Sequence, residues 1–172
     1  MMRTLLFKVA LCTAIILAPT TMGAKDNSFK KLSKIEGVEH IHIPKMLINL
    51  AAKKGESLNI GENISLGDKS GDLLKKIDTV DIFTSEEKDS AKKLSSRAKN
   101  ILNGKGWEAL VDASEDGQKV KICQVKQGKN TTFVVFAEEK DETTLVVIKG
   151  EIDLAKLLEQ QMATEGESLK EQ

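Results

Sequence analysis

Tyrosine is absent from this 172-residue chain, tryptophan occurs once, and aromatics make up 3% of it. Carbohydrate binders stack sugars on exposed aromatic rings, so this scarcity argues against a lectin-like role. An excess of charge of one sign is also missing, since Lys plus Arg and Asp plus Glu each number 26. The bases are scattered among the acids, which excludes the basic footprint of a nucleic-acid binder. Cysteine occurs twice, at Cys12 and Cys123, and histidine twice, at His40 and His42. Neither number suffices for a closed structural metal site or a disulfide framework. Beyond residue 18 there is no long apolar run, so a permanent transmembrane helix is not expected.

What is present begins at the N-terminus. Arg3 and Lys8 precede the apolar run Val9–Ala18, and Pro19-Thr-Thr-Met-Gly-Ala24 is a small-residue exit. That order of charge, apolar core and small residues is the pattern of a secretory signal peptide, and its core is too short to stay in a bilayer. Cleavage after Gly23 or Ala24 is expected, giving a product of the bacterial periplasm or outer envelope. Removing Arg3 and Lys8 leaves 24 bases against 26 acids, a net charge of −2. Cys12 leaves with the leader. Leu11 before it is too large for a lipid-attachment site, so the mature chain carries the single thiol Cys123.

The mature part reads as one domain over 25–162 followed by a polar, disordered tail at 163–172. Asn27-Ser28 can cap a short helix with Phe29, Leu32 and Ile35 on one face, stopped by Gly37. Residues 38–43 alternate as a strand. After Pro44, Met46, Leu47, Leu50 and Ala51 form a helical stripe ending before Gly55. The segment 55–72 is punctuated by glycines and reads as a long loop, in which 59–60 and 64–66 are either short edge strands or loop residues. Ile77–Phe83 is the next strand. Thr84-Ser-Glu-Glu87 has the form of a capping box before a helix carrying Ala91, Leu94, Ala98, Ile101 and Leu102. From Trp107 onward the period is two, with strands at 107–114, 119–126, 131–138 and 143–150 joined by short polar turns. Asp153 can cap a last helix with Leu154, Leu157, Leu158 and Met162.

This order implies an α+β, two-layer sandwich: a mainly antiparallel sheet of about six strands with helices packed mostly on one face. Residues 131–138 complicate that picture. Phe133 and Val135 lie on one side of the strand, and Val134 and Phe136 on the other. Either helices cover both faces or the second face meets a partner.

Several stretches resemble a known family: Gly37-Val38 with Ile41-His-Ile-Pro-Lys-Met46, Ile77-Asp with Ile82-Phe-Thr, Lys119-Val-Lys-Ile122, and above all Leu145-Val-Val-Ile-Lys-Gly-Glu-Ile-Asp-Leu154. Together they span about 29–160 and are similar to the exported bacterial proteins grouped as domain of unknown function 4252. The resemblance implies a signal-bearing envelope protein without an assigned reaction, and it brings no catalytic residues. The long 55–72 segment and the lack of a lipid-attachment cysteine depart from the family pattern.

The candidate chemistry is sparse. His40 and His42 stand two apart on a strand, so both rings project from one face. Imidazoles so spaced can share zinc or copper with Glu36 or another carboxylate, and equally they can be the polar side of a strand. Cys123 sits in the alternating Val120–Val125 stretch and reads as a packed thiol. Glu138, Glu139, Asp141 and Glu142 read as a solvated turn. No catalytic constellation and no cofactor are expected. The leading expectation is a non-catalytic envelope module that binds a protein partner or itself. The alternatives are a small metal-binding protein or hydrolase using His40 and His42, and a carrier of an apolar ligand walled by the strands around Phe133 and Phe136.

Overall fold

The computed structural model describes residues 28–54, 58–60, 64–66 and 72–153. The expected leader over 1–24, the last expected helix beyond Asp153 and the polar tail lie outside the described residues.

The protein is an α+β structure built on a six-stranded antiparallel sheet. Helical residues 28–30 and a 3-10 turn at Leu32–Lys34 lead into β1, Glu39–Pro44. Helix α1, Lys45–Lys54, follows directly. A two-stranded ribbon, β2 (Leu58–Ile60) with β3 (Ile64–Leu66), stands where the glycine-rich loop was expected. A one-turn helix α2, Asp72–Lys76, then runs without a loop into β4, Ile77–Ser85. Helix α3, Lys88–Leu102, is followed by the meander β5 (Glu108–Glu115), β6 (Gln118–Gln127), β7 (Asn130–Glu138) and β8 (Thr143–Gly150). The sheet order is β1-β4-β8-β7-β6-β5, so the meander returns to pair β8 with β4.

The hairpin turns follow from their sequences. Asp116 and Gly117 have φ of 47° and 83° between the paired Glu115 and Gln118, the two positive values a type I′ turn requires. That geometry matches the right-handed twist of the strands it joins.

Helices lie on both faces of the sheet, where the sequence suggested that they pack mostly on one. Leu94, Ala98 and Leu102 of α3, with Phe29, Leu32 and Ile35, pack on Phe83, Val134, Phe136, Leu145 and Val147. On the opposite face Ile48 and Ala52 of α1 and Leu74 of α2 pack on Val80, Phe133, Val146 and Ile148. Central strands that are apolar on both sides need a cover on each. Of the 45–54 stripe, Met46, Leu47 and Leu50 are exposed, and α1 buries Ile48 and Ala52 in their place. Ile41 on the neighbouring edge strand is exposed as well.

Two local expectations are corrected. Thr84 and Ser85 belong to β4 and do not cap α3. The Ser85 hydroxyl donates to the Gly37 carbonyl at 2.7 Å, Thr84 pairs with Thr144 across the strands, and Glu87 takes the cap position without a side-chain bond to the helix backbone, its carboxylate accepting instead from Ser90 Oγ at 3.3 Å. Glu138 is no solvated turn residue either. It accepts from Ser95 Oγ at 2.7 Å and from Lys99 Nζ at 2.6 Å, tying α3 to β7. Burial pushes its carboxyl up, but the Lys99 and Ser95 hydrogen bonds outweigh this and hold it below the usual carboxylate range.

A carboxyl depressed in the folded state stabilises above its unfolded pKa and ceases to do so as pH falls through the folded value. Glu138→Gln is therefore expected to cost about 1 kcal/mol at neutral pH, since Lys99 is partly exposed. The gap between the two proteins should close in acid. Urea denaturation of both at neutral and strongly acidic pH checks this, and a gap that stays constant would refute it.

Candidate functional site

β1 has a period-two pattern, so His40 and His42 project from the same face of the sheet, the one that also carries α3. The β1–β4 register sets His42 opposite Asp81 and His40 opposite Phe83. Asp81 is thus directly across from one histidine and diagonal to the other, within reach of both.

The three side chains close on one another. His40 Nε2 and His42 Nδ1 lie 2.9 and 2.7 Å from the same oxygen, Asp81 Oδ1. An ionised carboxylate only accepts, so both rings donate their N–H to it, which assigns opposite tautomers to the two histidines. His40 is held further by stacking on Phe83, with ring centroids 4.4 Å apart and planes 2° from parallel. The Asp81 side chain is 16% exposed and that of His42 is 51% exposed. The acid is the sheltered anchor, and His42 is the group presented to solvent.

These residues sit in a groove of about 670 Å³. Its floor includes Thr79, Lys149 and Thr132, register partners side by side on β4, β8 and β7. The N-terminal segment supplies a wall through Phe29, Lys30 and Ser33. Asp78 also lines the groove, where its Oδ1 holds Lys45 Nζ at 2.6 Å. Hydrogen bonding to Asp78 and its charge push Lys45 above the ordinary lysine value.

The histidines are brought together as their spacing implied, but the carboxylate between them is Asp81 and not Glu36. Among the described residues no group of three or more His, Cys, Asp or Glu side chains is arranged to hold a metal ion. The residues nearest to such a set are His40, His42 and Asp81, whose facing atoms are engaged in hydrogen bonds with one another. Asp81 was missed by sequence reasoning. Its signal was a lone carboxylate between Val80 and Ile82-Phe83, since a sheltered charge requires donors. Cys123 is elsewhere, 1% exposed in the cluster beneath α3. Burial is the main influence that pushes its thiol up, away from the reactive thiolate.

The family comparison matches residues 29–159 to the family described as Domain of unknown function (DUF4252). The chain belongs to this family. No curated protein matches the chain. The DUF4252 span takes in the groove from Phe29 to Lys149, and it agrees with the stretch over which the sequence resemblance ran. The DUF4252 span includes β8, an interior strand between β4 and β7. No helix among the described residues is long and apolar enough to cross a membrane.

Proposed function

We propose that this DUF4252 member is an exported protein of the bacterial envelope that acts as a non-catalytic binding module, with the groove over His40, Asp81 and His42 as its ligand site. The observation that carries the reading is the double hydrogen bond of Asp81 Oδ1 to both rings where all three side chains line an open groove. It fixes the orientation of two imidazoles before any ligand arrives, and pre-organisation lowers the entropic cost of binding. Support for binding over catalysis comes from the surroundings. Among the described residues neither ring hydrogen-bonds to a hydroxyl, and the thiol is sealed in a core. Phe133 and Phe136, which an apolar carrier would use as a cavity wall, are packed into the two clusters. Support for export comes from the N-terminal order of Arg3 and Lys8, the apolar Val9–Ala18 and the small residues up to Ala24. Exposed Met46, Leu47 and Leu50 beside Ile41 support a protein contact as well, self-association being its simplest form.

In a bacterial host the secreted product should begin near Ala24 or Lys25, and an intact mass that retains Met1 would overturn export. The variant with both His40→Ala and His42→Ala should fold and melt within a few degrees of the parent. Zinc should move neither melting temperature. A zinc-dependent rise that the double variant loses would put the metal-binding alternative ahead, because a ligand of the native state must stabilise it.

A further inference from the structure

Helix α1 is apolar on two sides, and only one of them is covered. Ile48 and Ala52, four residues apart, rest on the sheet, while Met46 and Leu47 in the first turn and Leu50 in the next point away from it. Met46 is 74% exposed. Lys53 and Lys54 complete the same outward side in the last turn, both exposed and neither in an ion pair among the described residues. Exposed Ile41 extends the apolar surface onto the edge strand β1, on the face where Ile43, two residues along, packs with α1. No acid occurs in α1, and together α1 and α2 bring five lysines to this side of the sheet. Of the nearby acids, Asp72 holds Lys75, while Asp78 and Glu151 act on Lys45, at the opposite end of α1 from Lys53 and Lys54.

We propose that α1 docks this protein on an anionic lipid surface, with Met46, Leu47 and Leu50 entering the interface and Lys53 and Lys54 meeting lipid phosphates. An apolar patch on a protruding helix needs a cover that yields around it, and acyl chains do so without a matching cavity. Lysine stems lie along apolar surface while their ammonium groups reach the headgroups, so Lys53 and Lys54 extend the patch and charge its rim. Charge also selects the occupant. A second copy related by a two-fold axis would set this surface against itself, and α1 has no acid to offer the lysines of its counterpart. An anionic bilayer supplies apolar depth and negative charge together. With ten residues α1 is too short to span a bilayer, so the protein rests on the surface. The groove over Asp81 lies on the α3 face, so a molecule resting on α1 keeps that groove toward solvent, and the docking requires nothing of the groove.

Flotation with vesicles of phosphatidylglycerol or of phosphatidylcholine tests this on the secreted product, whose mass first establishes that the apolar Val9–Ala18 run has been removed. Phosphatidylglycerol vesicles should carry the protein up the gradient, and phosphatidylcholine vesicles should bind it at least about tenfold more weakly, with the difference narrowing at high salt. Lys53→Gln combined with Lys54→Gln should weaken binding to phosphatidylglycerol roughly 30-fold, and Met46→Gln combined with Leu50→Gln at least about tenfold. All four positions are exposed, so circular dichroism and melting temperature should stay with the parent. Val120→Gln, at an exposed apolar residue of β6, three strands removed from β4 and α1, should float as the parent does. Absence of flotation, equal binding to the two lipids, or binding indifferent to both double variants would overturn the proposal. If vesicles do not bind and analytical ultracentrifugation shows a dimer that Met46→Gln with Leu50→Gln dissociates, a second copy covers α1 and the lipid assignment falls.

Discussion

Phe133→Ala and Phe136→Ala should each cost about 3–5 kcal/mol, although the two rings point to opposite sides of β7. Phe133 is 5% exposed among Val80, Val146 and Ile148 beneath α1 and α2, and Phe136 is 2% exposed among Leu94, Ala98 and Leu145 beneath α3. Each truncation removes a ring from a filled cluster, and the surrounding helices and sheet close only part of the space. Lys99 adds to the second case, its Nζ lying 5.6 Å from the centre of the Phe136 ring. Because a helix of the same chain covers each ring, the losses should not depend on protein concentration. Val120→Ala, at a β6 residue that is 38% exposed, is the contrast and should change stability by less than about 1 kcal/mol. Urea denaturation of the three variants at two protein concentrations tests this. A silent change at either phenylalanine would mean that its face is uncovered, and a loss that grows on dilution would mean that a second copy covers it.

Gly150→Ala should cost about 3 kcal/mol, which for a domain of this size lowers the melting temperature by roughly 6–12 °C. A β-carbon on Gly150 would meet the carbonyl oxygen of Lys76 and lie 2.8 Å from Ile77 Cα. Both obstacles are backbone, so no rotamer change relieves them. The crowding has a clear origin. α2 passes into β4 without a connecting loop, and the pairing of β4 with β8 is irregular between Ile77 and Thr79, drawing the Lys76–Ile77 junction against the end of β8. The Glu151 N–H donates to the Lys76 carbonyl at 2.9 Å and fastens the contact. Moving the strands apart would loosen Leu74, Ile77 and Ile152, all buried in the cluster under α1. A melting temperature within a degree of the parent would show that the junction yields. This contact also gives a physical reason for a glycine at the end of β8.

Elements with a long, regular period were legible in the sequence. The strands from 108 to 150 lie within one or two residues of the expected bounds, and helix α3 carries its expected stripe although it starts later than the capping signature implied, because alternation and helical spacing are local properties. α2 was not anticipated, since five residues with one apolar pair carry no period. Nor could local pattern separate a ribbon from a loop at 58–66. The stripe of α1 misled for a different reason. That helix is apolar on more than one side, and which side is buried depends on where the sheet lies. The capping signature at 84–87 failed because β4 extends through Ser85 and uses both hydroxyls for long-range bonds.

By itself the sequence determined the α+β class, the near-neutral charge, the single cysteine beyond residue 24 and the placement of His40 and His42 on one side of a strand. These are counts or short-range periodicities, which one stretch of chain decides alone. Asp81 became part of the site only through the tertiary structure, because it lies 41 and 39 residues from the two histidines. The register of β1 on β4 decides that meeting, and a shift of one residue would turn Asp81 to the other face of the sheet. The tertiary structure also decided that both faces carry helices and that the groove stays open where α3 does not reach. Pairing and layer packing sum interactions from distant segments, and no local pattern contains that sum.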